Sequence, residues 1–183
     1  MKAEITTWSV EMNSPHELIP ARPAKIDYEL IQAEIPMPQL NRFLYASVGA
    51  DWSWYMRFAW SFQQWQEYLE RDEVVTWIAY VCGTPAGYFE LERQSGDSVE
   101  IAYFGLLPQF IGKGLGGALL GDAIRKAWEF GGGRVWLHTC TLDHPAALAN
   151  YQARGFKIFD VVELEEEVPD GPLQPWPGAY PDR

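Results

Sequence analysis

A chain of 183 residues, 48% apolar and 15% aromatic, carries enough apolar material for one packed domain, with or without extensions. A formal charge of −11 argues against a basic nucleic-acid-binding surface and suits a cationic partner such as an amine, although acidity also serves solubility. Cys82 and Cys140 form no metal-ligand spacing, residues 1–8 lack the apolar core of a secretion signal, and no run approaches the ~20 apolar residues of a membrane span, so a cytoplasmic protein with no metal and no membrane partner is expected.

Residues 3–11 alternate loosely and predict a first strand. Pro15, Pro20 and Pro23 mark residues 14–24 as a connection, residues 25–35 read as a strand ending at Pro36, and 38–47 as a short helix. Asp51, Trp52, Trp54, Tyr55, Arg57, Phe58 and Trp60 then crowd together, followed by Ser61 as the N-cap of a helix reaching about Arg71, with Phe62, Trp65 and Leu69 on one face. From residue 74 the period changes. Val74–Val81, Ala86–Glu92 and Val99–Leu107 read as an antiparallel meander, broken at Gly83-Thr84-Pro85 and at Gln94-Ser95-Gly96-Asp97. A glycine-rich loop at 111–117 opens a helix that runs to Phe130 and stops at Gly131-Gly132-Gly133. A strand at Val135–Thr141, a helix at Pro145–Arg154 and a strand at Phe156–Glu165 complete an α/β domain with a mixed sheet over residues 1–167. Residues 168–183 hold five prolines and read as a tail.

The loop is the most informative segment. Small residues let a backbone approach a ligand closely, and the free N–H groups opening the next helix make an anion site suited to pyrophosphate. No Gly-Lys-Ser/Thr is present, which sets aside a Walker A loop. Gly112, Gly114 and Gly117 spell G-x-G-x-x-G, but Pro108 intervenes and the strand closes a meander, whereas the dinucleotide fingerprint turns tightly off the first strand of a parallel unit. A second pattern follows at a fixed distance, Tyr151-Gln152-Ala153-Arg154-Gly155-Phe156, with Ala147 four residues before the tyrosine.

Together these motifs, from Glu100 to Phe156, resemble the central part of the GNAT acetyltransferases. In that family a strand is followed by Pro, an aromatic, Gln/Arg-x-x-Gly-x-Gly/Ala and a helix, and later by Tyr-x-x-x-Gly-Phe. Gln109 through Gly114 fits the first signature literally. Pro108 and Phe110 favour a second register, with Gly114 and Gly116 as the paired glycines and Ile111 where the family carries Gln or Arg. His144 stands where the family often has Asn. The resemblance implies a GNAT-like fold that binds acetyl-CoA and acylates a primary amine of a small molecule or peptide. A non-catalytic acyl-CoA-binding module of the same fold is the alternative.

The resemblance assigns the cofactor to Phe104 and Leu106 on the strand, to Ile111, Gly112, Lys113, Gly114, Leu115, Gly116 and Gly117 of the loop, and to His144. Tyr151 is implied as the acid that protonates the CoA thiolate, its ordinary pKa lying near that of a thiol. Glu100 lies where some members place a base, with Glu90 and Glu92 as rivals. A lone strand histidine, His138, stands nearby as a core or edge residue or a proton shuttle. The aromatics at 52–60 are either core or the wall of an acceptor pocket that could hold a cation against a ring face.

Overall fold

β-Branched and aromatic residues dominate the central strands, and their alternation separates two faces. The computed structural model describes residues 1–169, 174 and 179. Strands β1 (Lys2–Met12), β2 (Glu29–Gln32), β3 (Val74–Val81), β4 (Thr84–Gln94), β5 (Ser98–Leu106), β6 (Arg134–Cys140) and β7 (Lys157–Glu167) form one sheet in the order β2-β3-β4-β5-β6-β1-β7. Every neighbouring pair is antiparallel except β5 and β6, which run parallel.

Helices α1 (Pro38–Gly49) and α2 (Phe62–Leu69) precede the meander, while α3 (Gly116–Phe130) and α4 (Ala147–Ala153) flank β6 in sequence. Successive residues of a strand face opposite ways. On β4, Tyr88 packs with Leu44 and Val48 of α1, whereas Phe89 joins Leu119, Leu120 and Ile124 of α3. Helices therefore cover both faces of the sheet. The Ser61 hydroxyl accepts from the Gln64 amide at 3.2 Å, and the Gln64 side chain accepts from the Ser61 amide at 2.8 Å. That reciprocal capping box starts α2 where the sequence predicts it.

The first strand does not join the meander. β1 lies between β6 and β7, pairing Thr7–Met12 with Val135–Cys140 and Lys2–Glu11 with Lys157–Glu167. The β6–α4–β7 connection thus spans one inserted strand, and the chain's first residue closes the ladder: the Met1 amine donates to the Val168 carbonyl at 2.6 Å. Some boundaries differ from expectation. β2 is four residues rather than eleven: in the stretch before it Lys25 lies beside Gly114 of the glycine loop and the Tyr28 hydroxyl bonds Asp122 of α3. The last helix begins at Ala147, after a turn in which the Ala147 amide donates to the His144 carbonyl at 2.7 Å. Val168, expected in a tail, is buried; most of residues 169–183 lie outside the described set.

Candidate active site

The parallel ladder between β5 and β6 covers only Ser98–Glu100 against Arg134–Trp136. Beyond it the strands part, and two cavities open where they diverge. The larger, about 670 Å³, is lined by Phe104, Gly105 and Leu106 of β5, by Ile111, Gly112, Gly114, Gly116 and Gly117, and by His144, Asn150 and Tyr151.

Gly112 and Gly114 carry φ of +78° and +79°, a conformation that only glycine adopts without strain. They bring the loop down onto the start of α3, where Leu115 occupies the cap position without a side-chain cap bond. Leu119 is the residue whose amide bonds back to Leu115, so the amides before it in the first turn point outward, with the positive end of the helix dipole behind them. Two cationic side chains flank this cradle. A Cβ on Gly114 would lie 3.0 Å from the Lys25 stem, and one on Gly117 would lie 3.4 Å from Arg154 Nη1. Sequence reading missed both. Lys25 carried no signal, because only the folded path of the segment before β2 brings it there. Arg154 sits inside the Tyr-x-x-x-Gly-Phe motif and could have been noticed. Of the predicted loop residues, Lys113 and Leu115 do not line the cavity. The Lys113 ammonium lies 5.3 Å from the Phe110 ring, and Leu115 is wholly buried. The His144 ring accepts from the Ala146 amide at 3.0 Å and meets Trp52 edge to face.

The second cavity, about 300 Å³, shares Trp52, Trp54, Phe104, Asp143 and Tyr151 with the first. Tyr151 is 8% exposed, and among the described residues no protein group takes its hydroxyl. Burial, with the Asp143 charge adding to it, pushes this phenol above its ordinary pKa and keeps it protonated at neutral pH. Asp143 accepts from the Thr139 hydroxyl at 2.7 Å, from the Cys140 amide at 3.0 Å and from the Trp54 indole at 3.4 Å. Asp143 and Glu166 line this cavity; among the described residues no Lys or Arg does.

Glu100 is buried and lines neither cavity. One oxygen accepts from Gln94 at 2.7 Å, and the other lies 3.1 Å from His138 Nδ1. His138 does line the second cavity. Of the rival carboxylates, Glu90 is buried against Arg57 at 2.8 Å, and Glu92 pairs with Arg71 at 2.8 Å. The aromatic crowd divides between the two readings it allowed: Trp52, Trp54 and Tyr55 wall the cavities, while Phe58 and Trp60 pack into the cluster around Tyr45 and Trp65. Among the described residues no cluster of His, Cys, Asp or Glu could hold a metal, and no helix is long and apolar enough to cross a membrane.

A mixed sheet that opens between two parallel strands, with an amide-lined cradle at a helix start and a tyrosine at the join of two cavities, defines an α/β domain with a glycine-lined cleft. The sequence model of the acetyltransferase (GNAT) family matches residues 37–156, and the chain belongs to that family. No curated protein matches. Solved structures agree on the fold. A GCN5-related N-acetyltransferase from Kribbella flavida aligns with a TM-score of 0.62 at 21% identity, covering 93% of this chain and 61% of its own. One from Sphaerobacter thermophilus gives 0.61 at 15% identity, covering 93% and 53%. An aminoglycoside acetyltransferase from an uncultured soil metagenomic sample, in complex with trehalose, gives 0.57 at 14% identity, covering 69% and 86%. The chain thus spans less than two thirds of the Kribbella and Sphaerobacter structures.

Proposed function

We propose that the protein is an acyltransferase that moves an acetyl group from acetyl-CoA to a primary amine of a small molecule or peptide in the cytoplasm. The observation that carries this reading is the meeting of two cavities at Tyr151. One is a glycine-lined cleft for an anion; the other is a smaller chamber with carboxylates and, among the described residues, no opposing Lys or Arg. The residues present fit CoA: first-turn amides of α3, with Lys25 and Arg154 beside them, suit its pyrophosphate. The edge of β5 turned away from β4, which has no ladder to β6 from Phe104 to Leu106, suits the amide-rich arm, which can bond to it as a strand would. The thioester, when bound, supplies the activated acyl carbon.

The remaining steps fall to the chain's own side chains. Asp143 and Glu166 favour entry of the amine as its ammonium form. Glu100 is the carboxylate behind removal of the ammonium proton. Tyr151 holds the proton the departing sulfur takes up, and its burial ensures that the proton is there to give. The test is release of CoA across a panel of amines, alongside thermal shifts with acetyl-CoA and with NAD(P)H. Turnover with an amine and a shift with acetyl-CoA are expected. A shift without turnover on any amine would leave a non-catalytic acyl-CoA-binding module, and a shift with NAD(P)H alone would overturn the reading.

A further inference from the structure

The geometry points to His138 as the group that takes the proton from the acceptor ammonium, with Glu100 as a positioning residue behind it. This rests on the transferase reading and names which atom does the work. Glu100 sits at the last rung of the β5–β6 ladder, opposite Trp136, and the strands part immediately beyond it. Its two oxygens are engaged by Gln94 and His138, and Gln94 in turn accepts from the Trp136 indole at 3.0 Å. The carboxylate is therefore held at the apex of the opening, outside both cavities. His138, two residues further along β6, projects from that apex into the amine chamber.

A carboxylate at 3.1 Å from Nδ1 favours the tautomer with its hydrogen on Nδ1 and leaves the Nε2 lone pair unprotonated. Nε2 takes one proton from the substrate ammonium, Glu100 stabilises the imidazolium that results, and His138 later returns the proton to solvent. The neutral amine then attacks the acyl carbon; as the new N–C bond forms and the C–S bond breaks, Tyr151 gives its proton to the sulfur, and the second proton leaving the nitrogen restores the Tyr151 phenol.

The surroundings hold His138 above its ordinary pKa. The hydrogen bond that His138 Nδ1 donates to Glu100 raises its pKa against the opposing effect of burial, and the charges of Glu100 and Asp143 add to the rise. Asp143 and Glu166 are the carboxylates that share its chamber, and Ser9 of β1, its partner across the ladder, is uncharged. The Cys140 thiol and the Tyr55, Tyr103 and Tyr151 phenols are each pushed upward, first by burial, and stay neutral through the same range.

The experiment combines the pH profile of turnover at saturating amine with the tautomer and titration of His138 read by nitrogen-15 NMR. In the wild type, turnover rises with pH through a midpoint that matches the titration of His138, above the ordinary histidine value, with the ring hydrogen on Nδ1. Glu100→Gln moves both midpoints to lower pH together. His138→Asn removes the limb and lowers turnover by a factor on the order of 10²–10⁴; His138→Gln repeats the test if the asparagine variant melts early. The proposal is overturned if His138→Asn keeps the limb and the rate, if Glu100→Gln shifts the limb without moving the His138 titration, or if the wild-type hydrogen sits on Nε2. Absence of turnover with every amine overturns the transferase reading itself, and this assignment with it.

Discussion

Replacing Glu90 with Ala tests what holds the amine chamber in shape. Arg57 Nη1 lies 2.8 Å from Glu90 Oε1, and the two side chains are only 9% and 2% exposed. The same carboxylate accepts from the Tyr68 hydroxyl at 2.8 Å and from Asn41 at 3.4 Å. The guanidinium lies 4.1 Å from the Tyr68 ring, 4.4 Å from Tyr103 and 4.6 Å from Trp60. Ring faces attract a cation but do not replace its counter-ion. Removing one partner of a buried pair leaves an uncompensated charge and costs about 3–5 kcal/mol. For a chain of this size each kcal/mol lowers Tm by roughly 2–4 °C, so Glu90→Ala should melt roughly 6–20 °C below wild type. Replacing both partners with apolar residues of similar volume should restore much of that loss, because it is the orphaned charge that is expensive. Urea unfolding followed by tryptophan fluorescence measures the difference directly. The chamber wall should suffer with it: the Arg57 amide donates to the Tyr45 hydroxyl at 3.2 Å, and Tyr45 and Tyr103 both line that cavity. The amine KM should therefore rise more than the acetyl-CoA Kd. A Glu90→Ala protein within 1 kcal/mol of wild type would refute the argument, on the scale at which buried pairs are broken.

Tyr151→Phe should lower saturated turnover by roughly 10²–10⁴ while leaving the acetyl-CoA Kd nearly unchanged; wild-type turnover with chemistry rate-limiting would exclude the acid role. Gly114→Val forces a branched side chain into φ +79° against the Lys25 stem and should raise the acetyl-CoA Kd at least tenfold, about 1.4 kcal/mol by calorimetry. Gly83→Val, with φ +76° and nothing within 4 Å, carries the same backbone strain away from the cleft and should leave that Kd alone. The amine KM should rise with ionic strength as the attraction of Asp143 and Glu166 is screened beyond about 8 Å at 0.15 M; a salt-independent KM, or an anionic acceptor, would contradict the charge argument.

What could be read from the sequence follows the range of the interactions involved. Val74–Val81 is predicted at its observed bounds because its β-branched run is local, and α2 starts just after its N-cap Ser61 because a capping box spans three residues. The glycine loop and Tyr-x-x-x-Gly-Phe were legible because backbone conformation dictates their residue types. Gly155, at φ +105°, would put a Cβ 2.1 Å from the Glu17 carbonyl oxygen, a contact no other residue tolerates. Placement of β1 was not legible. Its alternation predicts a strand but says nothing of which neighbours it pairs with, and its ladders join residues more than a hundred positions apart. The same limit applies to the proton-transfer groups. Glu100 was found by position on a strand, but its turn away from the cavity depends on Gln94, Trp136 and His138 meeting across a parallel ladder.

This division also explains why the acceptor is harder to read than the donor. Every residue lining the larger, glycine-rich cavity falls between Trp52 and Tyr151, inside the span that matches the family. The amine chamber does not stay within it: Ile5 and Thr7 of β1 and Glu166 of β7 close one wall, and all three lie outside residues 37–156. Because β1 is wedged between β6 and β7, it sets how far β7 stands from the opening, and so how far Glu166 stands from His138 and Asp143. The cleft proposed for the donor thus lies within the span that matches the family. The wall that would size and charge the proposed acceptor chamber comes from β1 and β7, which lie outside that span and pair with each other through an antiparallel ladder.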